Sequence, residues 1–316
     1  MRRNAITRIV LFSIAIFLLS GILLAGIGVN SYMIHGTHNV KTSQTVSQVP
    51  EELEGAAYTA DADSIRDIDI DWAAGSISIL PADQSEITVA ETGDSDGRYP
   101  MIVKESGGKL SIEYCEDATS FIGINRNYEE KHLVIFVPMG WECGSLEIDA
   151  ASAGLEVSDM TIREVEFDGA SGICNFINCQ VDQLSIDTSS GDVNFSGTLN
   201  ELDFDAMSAC FHGTLSNIPY RLDMDTMSGD LDIALPEHCG FSLDLDAMSS
   251  DFTSDFATTM NDGFHVCGDG ACRISVSAMS GDVVLRKHAH THTDSCYAEN
   301  STCPDYSTAH HSDSHH

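Results

Sequence analysis

The sequence predicts an all-β protein, a parallel β-solenoid (β-helix) of ~19–21-residue coils preceded by one N-terminal transmembrane helix. Three observations predict it. A small-residue corner recurs at Ser152, Ser171, Ser190, Ser208, Ser228, Ser249 and Ser280, at spacings of 19, 19, 18, 20, 21 and 31 residues. Around the corners apolar residues alternate with polar ones, as in Leu222-Asp223-Met224-Asp225 and Leu231-Asp232-Ile233. The chain also opens with an uncharged apolar run of membrane-spanning length.

Taken in order, Arg2, Arg3 and Arg8 precede a run from Ile9 to Val29. Its 21 residues would extend about 31 Å as a helix, enough for the hydrocarbon core. The arginines mark residues 1–8 as cytoplasmic. Residues 9–30 are therefore read as a single-pass anchor in a bacterial cell membrane, with everything after them outside. A cleaved signal peptide is the competing reading, but the run is long for an h-region and Ala25–Gly28 offers no clean Ala-x-Ala site. Residues 31–60 are polar and read as an extracytoplasmic stalk. Residues 61–287 carry the solenoid, with a less regular β region over 65–145 and one protruding loop or extra coil between Phe252 and Arg273. After Lys287 the composition breaks. Residues 288–316 contain no Val, Ile, Leu, Met or Phe, yet hold seven of the 13 His. Such a segment cannot bury a core and reads as a disordered His/Cys-rich tail.

Within each repeat the apolar positions lie six and four residues before the corner Ser: Leu146/Ile148, Val165/Phe167, Leu184/Ile186, Leu202/Phe204, Leu222/Met224, Leu243/Leu245 and Ile274/Val276. Strict alternation marks strands with one buried face, and no apolar set recurs at helical spacing. Gly172, Gly191, Gly229 and Gly281 follow the Ser where the chain must turn. An antiparallel sandwich would not need near-identical corners at a fixed period. The same register aligns acids outside. Asp149, Asp168, Asp187, Asp205, Asp225 and Asp246 lie three residues before the corner, with Asp71 matching around Ala73-Ala74-Gly75.

The chain carries 15 Lys+Arg against 49 Asp+Glu, a formal net charge of −34. Such a surface repels nucleic acid and anionic headgroups and attracts cations or basic partners. Nucleic-acid binding is excluded on that ground.

The metal candidate is the tail: His288, His290, His292, Cys296, Cys303, His310 and His311. Imidazole and thiolate suit Zn²⁺ or another transition metal, although His-x-His-x-His is not a structural-zinc spacing. Protonation of the same imidazoles near pH ~6.5 would add positive charge beside an acidic body. The Asp ladders could take Ca²⁺ through oxygen ligands. The calcium-roll nonapeptide is absent, however, and acids that cap turns and keep the sheet soluble explain the ladders without metal. Met207, Met227, Met248 and Met279, just before the corner Ser, read as core filler. The ten Cys are even in number and lie on the exported side, where disulfides form. Cys174/Cys179, Cys267/Cys272 and Cys296/Cys303 are close in sequence, but connectivity stays open. No hydrolase, metalloprotease or phosphate-binding motif is present, and Arg163, Arg221 and Arg273 join no catalytic constellation.

The Met-Ser-Gly-Asp corners, the segment Leu133-Val-Ile-Phe-Val-Pro138 leading to Leu146-Glu-Ile-Asp149, and the run from Gly268 to Asp282 together resemble the bacterial DUF4097 family. That family is described as adhesin-like and includes LiaG-like cell-envelope proteins. The resemblance covers roughly residues 65–287. It implies a β-solenoid in an envelope setting and brings no catalytic residues with it. The function expected is a non-enzymatic adhesin-like or envelope-stress-associated interaction or scaffold module. Its partner would be an envelope protein or cell-wall component. The alternative is a metal- or pH-responsive envelope sensor using the tail. A carbohydrate-active enzyme comes third.

Overall fold

The computed structural model describes residues 57–94, 97, 99–115 and 129–288. The expected anchor (9–30), most of the expected stalk and the tail beyond His288 lie outside the described residues. Strands β1 (Ala57–Asp61), β2 (Asp67–Ala82), β3 (Glu86–Thr92), β4 (Ile102–Ser106), β5 (Lys109–Glu113) and β6 (Lys131–Pro138) build the N-terminal end. The middle holds β7 (Glu142–Ser158), β8 (Thr161–Gly169), β9 (Cys174–Ser190), β10 (Val193–Ser208), β11 (Phe211–Leu215), β12 (Arg221–Ser228) and β13 (Leu231–Pro236). The C-terminal end holds β14 (Phe241–Ser249), β15 (Phe252–Ser254), β16 (Thr259–Asn261), β17 (Phe264–Cys267), β18 (Cys272–Ser280) and β19 (Val283–His288). All join one sheet, and no helix occurs among the described residues. The sheet begins at Ala57, four residues inside the span expected to be stalk, because Ala60 turns inward and is buried.

The alternation read from the sequence becomes columns of stacked side chains. Leu110, Ile68, Leu146, Val165, Leu184, Leu202, Leu222, Ile274 and Leu243 are partners rung to rung. None of them is more than 2% exposed. Eight steps of about 4.8 Å make this apolar spine roughly 38 Å long. No single coil could bury its own face; each does so against the coils on either side.

The order of coils departs from the order of the sequence at both ends. The last coil, β18–β19, does not follow β14–β15. It inserts between β12–β13 and β14–β15, pairing Leu222 with Ile274 and Leu243 with Ile274 from opposite sides. At the other end, β2 lies between β7 and the β5–β6 coil, so the first long strand is also an interior one. Antiparallel strands then close the stack. β3 covers β6 and is itself covered by β1, β4 pairs with β5, and the β16–β17 hairpin folds back so that β17 pairs with the start of β14. The long repeat between Phe252 and Arg273 is thus a hairpin cap and not an extra coil. A parallel stack ending on an open edge would template pairing with other chains, and hairpin caps blunt that edge.

One buried charge sits at the N-terminal end. Lys131 is fully buried, and its Nζ donates to Glu91 Oε2 at 2.6 Å, Tyr99 O at 2.6 Å and Tyr114 O at 2.7 Å. The ammonium also lies 4.0 Å from the centre of the Tyr114 ring and 4.9 Å from that of Trp72. All three N–H donors are used, which is the condition under which a buried ammonium is tolerable.

Candidate functional site

Two outward faces carry the chemistry. On the first, the acids three residues before each corner form a continuous column: Glu113, Asp71, Asp149, Asp168, Asp187, Asp205 and Asp225. The inserted coil then places Ser277 between Asp225 and Asp246, so these two acids are not neighbours as their sequence order implies. Lys109 bridges Asp69 at 3.0 Å and Glu147 at 2.9 Å, and Lys104 pairs with Glu113 at 2.6 Å. Arg221 pairs with Asp223 toward the other end. Among the described residues no cation pairs with Asp149, Asp168, Asp187 or Asp205. Asp187 and Asp205 are half-buried, Asp149 and Asp168 more exposed, and the stacked carboxyls press on one another. Burial first, and then neighbouring acids, push Asp71 and Asp168 up to about 6 and Asp205 up to about 7. Burial also raises Asp149 and Asp187.

The acids two residues after the corner do a different job. Asp192 Oδ1 accepts from the Cys210 amide at 3.3 Å, Asp230 Oδ1 from Asp282 at 2.8 Å, and Asp282 Oδ1 from Asp251 at 3.0 Å. Each caps the corner of the next coil in space, the role expected of a turn carboxylate.

The second face is a shallow groove of about 390 Å³ across β9, β10, β11, β13 and β19. Its central column is Asn175, Asn194, His212 and Asp232, consecutive rungs of the sheet. Asn194 Nδ2 donates to Asn175 Oδ1 at 3.0 Å. Arg286 donates to both oxygens of Asp232 at 2.7 Å each. That hydrogen-bonded guanidinium holds the Asp232 carboxyl below its usual range, with His212 adding to the effect. Ile177, 44% exposed, supplies an apolar margin. Phe176 and Phe195, whose tilted rings lie 6.0 Å apart in the core, alternate with the residues of the column and turn their side chains to the opposite face of the sheet. The groove thus offers amide, imidazole, hydroxyl and fixed carboxylate groups, a set suited to hydrogen-bonding a hydroxyl-rich ligand. Ser196 accepts from the Asn178 amide and donates to Phe176 O, with no base beside it. Sequence reasoning missed this column, although its signal was present: the four residues sit four places after the corners at Ser171, Ser190, Ser208 and Ser228.

Of the tail candidates, His288 is the last residue of β19 and pairs with Pro236, so the sheet runs one residue into the expected tail. His290, His292, Cys296, Cys303, His310 and His311 lie outside the described residues. Among the described residues no group of three or more His, Cys, Asp or Glu side chains is arranged to hold a metal ion, the Asp ladder included. The methionines are not core. Met248 is 83% and Met279 46% exposed, and Met207 and Met227 are only half-buried. The alternation explains why: Ala206, Thr226 and Ala278, two residues before the corner, point inward, so the residue after each must point out. Cys174 is inward and buried, as its position predicts.

The described residues thus form a single mostly parallel, repeat-built sheet with columns of acids and amides on its outer faces. The chain belongs to the Toastrack DUF4097 family, whose model matches residues 65–209 and again residues 146–286. The overlap of the two matches is what an internal repeat produces. No curated protein matches the chain. Solved structures with similarity include a proposed cell adhesion protein from Clostridium sporogenes, 6% identical with a TM-score of 0.33, over 74% of this chain and 100% of that one. A proposed adhesin from Bacteroides fragilis is 11% identical with a TM-score of 0.40, over 74% and 98%. A proposed lipid-binding protein from Parabacteroides distasonis is 12% identical with a TM-score of 0.29, over 76% and 98%.

Proposed function

We propose that this chain is a non-enzymatic, adhesin-like interaction module, held on the outside of a bacterial cell membrane by residues 9–30, whose groove takes a hydroxyl-rich cell-wall glycan. The observation that carries the reading is the column Asn175–Asn194–His212–Asp232, four polar side chains on successive rungs with the exposed Ile177 at its margin. Binding grooves typically combine a few placed polar groups with apolar walls. Recognition is favoured over turnover because the groove's carboxylate is tied to Arg286 and its serine has no base. The test is cosedimentation of the full chain with insoluble wall glycan. The wild type should pellet, and His212→Ala should weaken retention at least ~10-fold, as loss of one good polar contact does. Equal retention of both proteins, or of neither, counts against the groove.

A second reading, response to pH, is supported by the crowded ladder. Carboxyls raised to about 6 and about 7 at Asp168 and Asp205 would change the charge of that face between neutral and mildly acid conditions. Carboxyl-carbon NMR of the full chain tests it: ladder carboxyls should titrate well above the ordinary ~3.9. Ordinary midpoints throughout would remove the reading.

A further inference from the structure

Three cysteines that are far apart in the chain gather where the inserted coil meets the C-terminal cap. Cys239 lies in the turn before β14, its amide donating to Pro236 O at 2.9 Å. Cys272 opens β18 as the rung partner of Phe241, and its amide donates to Gly240 O at 3.0 Å, one residue from Cys239. Each of these two thiols is the main influence on the other's acidity, and their residues are 2% and 0% exposed. Cys267 stands on the other side of Phe241, half-exposed, with its thiol 3.7 Å from Cys239 O. We propose that Cys239 and Cys272 form a disulfide when the protein meets a disulfide oxidant, stapling the penultimate coil to the coil inserted beneath it.

The chemistry balances with a named oxidant class. Each thiol loses its proton, the pair gives up two electrons, and an Sγ–Sγ bond forms. A small-molecule disulfide accepts the electrons and protons and leaves as two thiols. Cys239 suits the attacking role: the hydrogen bond from the Cys272 thiol lowers its pKa, the first requirement for a thiolate nucleophile. Disulfide sulfurs lie about 2.05 Å apart, and the Cys272 amide already reaches the carbonyl of the residue next to Cys239, so the two side chains start from adjacent backbone. The neighbour in sequence, Cys267, is the obvious alternative partner for Cys272, but the fold puts β14 between them. The cross-link would close a loop from residue 239 to 272 that contains the whole hairpin cap, and it would fix the coil order that the backbone ladder alone must otherwise hold.

The experiment uses the purified full chain, so its result does not depend on where the protein resides in the cell. The protein is incubated with oxidised glutathione, alkylated under denaturing conditions, and cleaved before aspartates. That cleavage yields 232–243, 262–268 and 269–281, each with one of the three cysteines. The expected product is 232–243 joined to 269–281, lighter by two hydrogens than the separate peptides. Reduction should lower the melting temperature of the oxidised protein by about 10 °C. Cys239→Ser should abolish that difference and Cys267→Ser should keep it. Alkylation of Cys239 and Cys272 after oxidation, or joining of either to 262–268 as the main product, overturns the proposal.

Discussion

At the scale of single residues, the corners are set by backbone approach as much as by backbone angle. Gly191 has φ +111°, and a Cβ there would stand 1.8 Å from Gly172 O. Gly229 has no positive φ, yet its Cβ would stand 1.8 Å from Ala209 O in the coil beside it. Gly191→Ala should therefore cost about 3 kcal/mol in chemical denaturation, from strain plus overpacking. Lys131 gives a second prediction. Lys131→Met leaves the buried Glu91 carboxylate unpaired and should cost about 3–5 kcal/mol, of which Glu91→Leu on the same chain should restore part. The glycines were legible in the sequence as turn residues, although the carbonyl above each was not. Lys131 was not legible at all. It lies in a strand as one more charged residue, and its carboxylate and carbonyl partners come from 17 to 40 positions away. The methionines were misread because residue type was weighed above position: the period of two already put them outside.

At the scale of elements, the period and the alternation predicted the rungs correctly, but not their order. What identifies the inserted coil in the sequence is its pair of hydroxyls. Ser275 and Ser277 occupy positions where other coils carry Asp223/Asp225 and Asp244/Asp246. With one acid rung on each side, a third acid rung between them would have no relief, and serine removes the repulsion. Ser277→Asp should therefore lower the melting temperature, and more so at low salt than at high. The ladder also fixes the sign of the pH dependence. Asp71, Asp168 and Asp205 are raised in the folded state, so the native protein holds more protons than the unfolded chain between pH ~4 and pH ~7. Stability should be greatest toward pH ~4 and fall as pH rises through 6 to 7, the reverse of a salt-bridged carboxylate. Asp67 and Asp232, lowered by Arg66 and Arg286, act the other way and only at more acid pH. Asp205→Asn should flatten the slope near pH 7; a slope unchanged by that substitution would clear the ladder of the effect.

At the scale of the whole molecule, a net charge of −34 opposes compaction, and a continuous apolar spine offsets it. Going from ~0.01 M to ~1 M salt shrinks the screening length from about 30 to 3 Å, so the melting temperature should rise across that range. The same charge opposes approach of polyanions, in keeping with the uncharged, hydroxyl-rich ligand proposed for the groove. The groove itself was hidden in the sequence because it is a column. Asn175, Asn194, His212 and Asp232 are unremarkable one at a time and become a surface only when four coils stack in register. The measurement that bears most directly on this account is amide hydrogen exchange of the full chain with and without soluble wall glycan. Slowed exchange confined to β9–β11, β13 and β19 around the groove is the predicted result. Slowed exchange along the acidic ladder instead, or none anywhere, would contradict it.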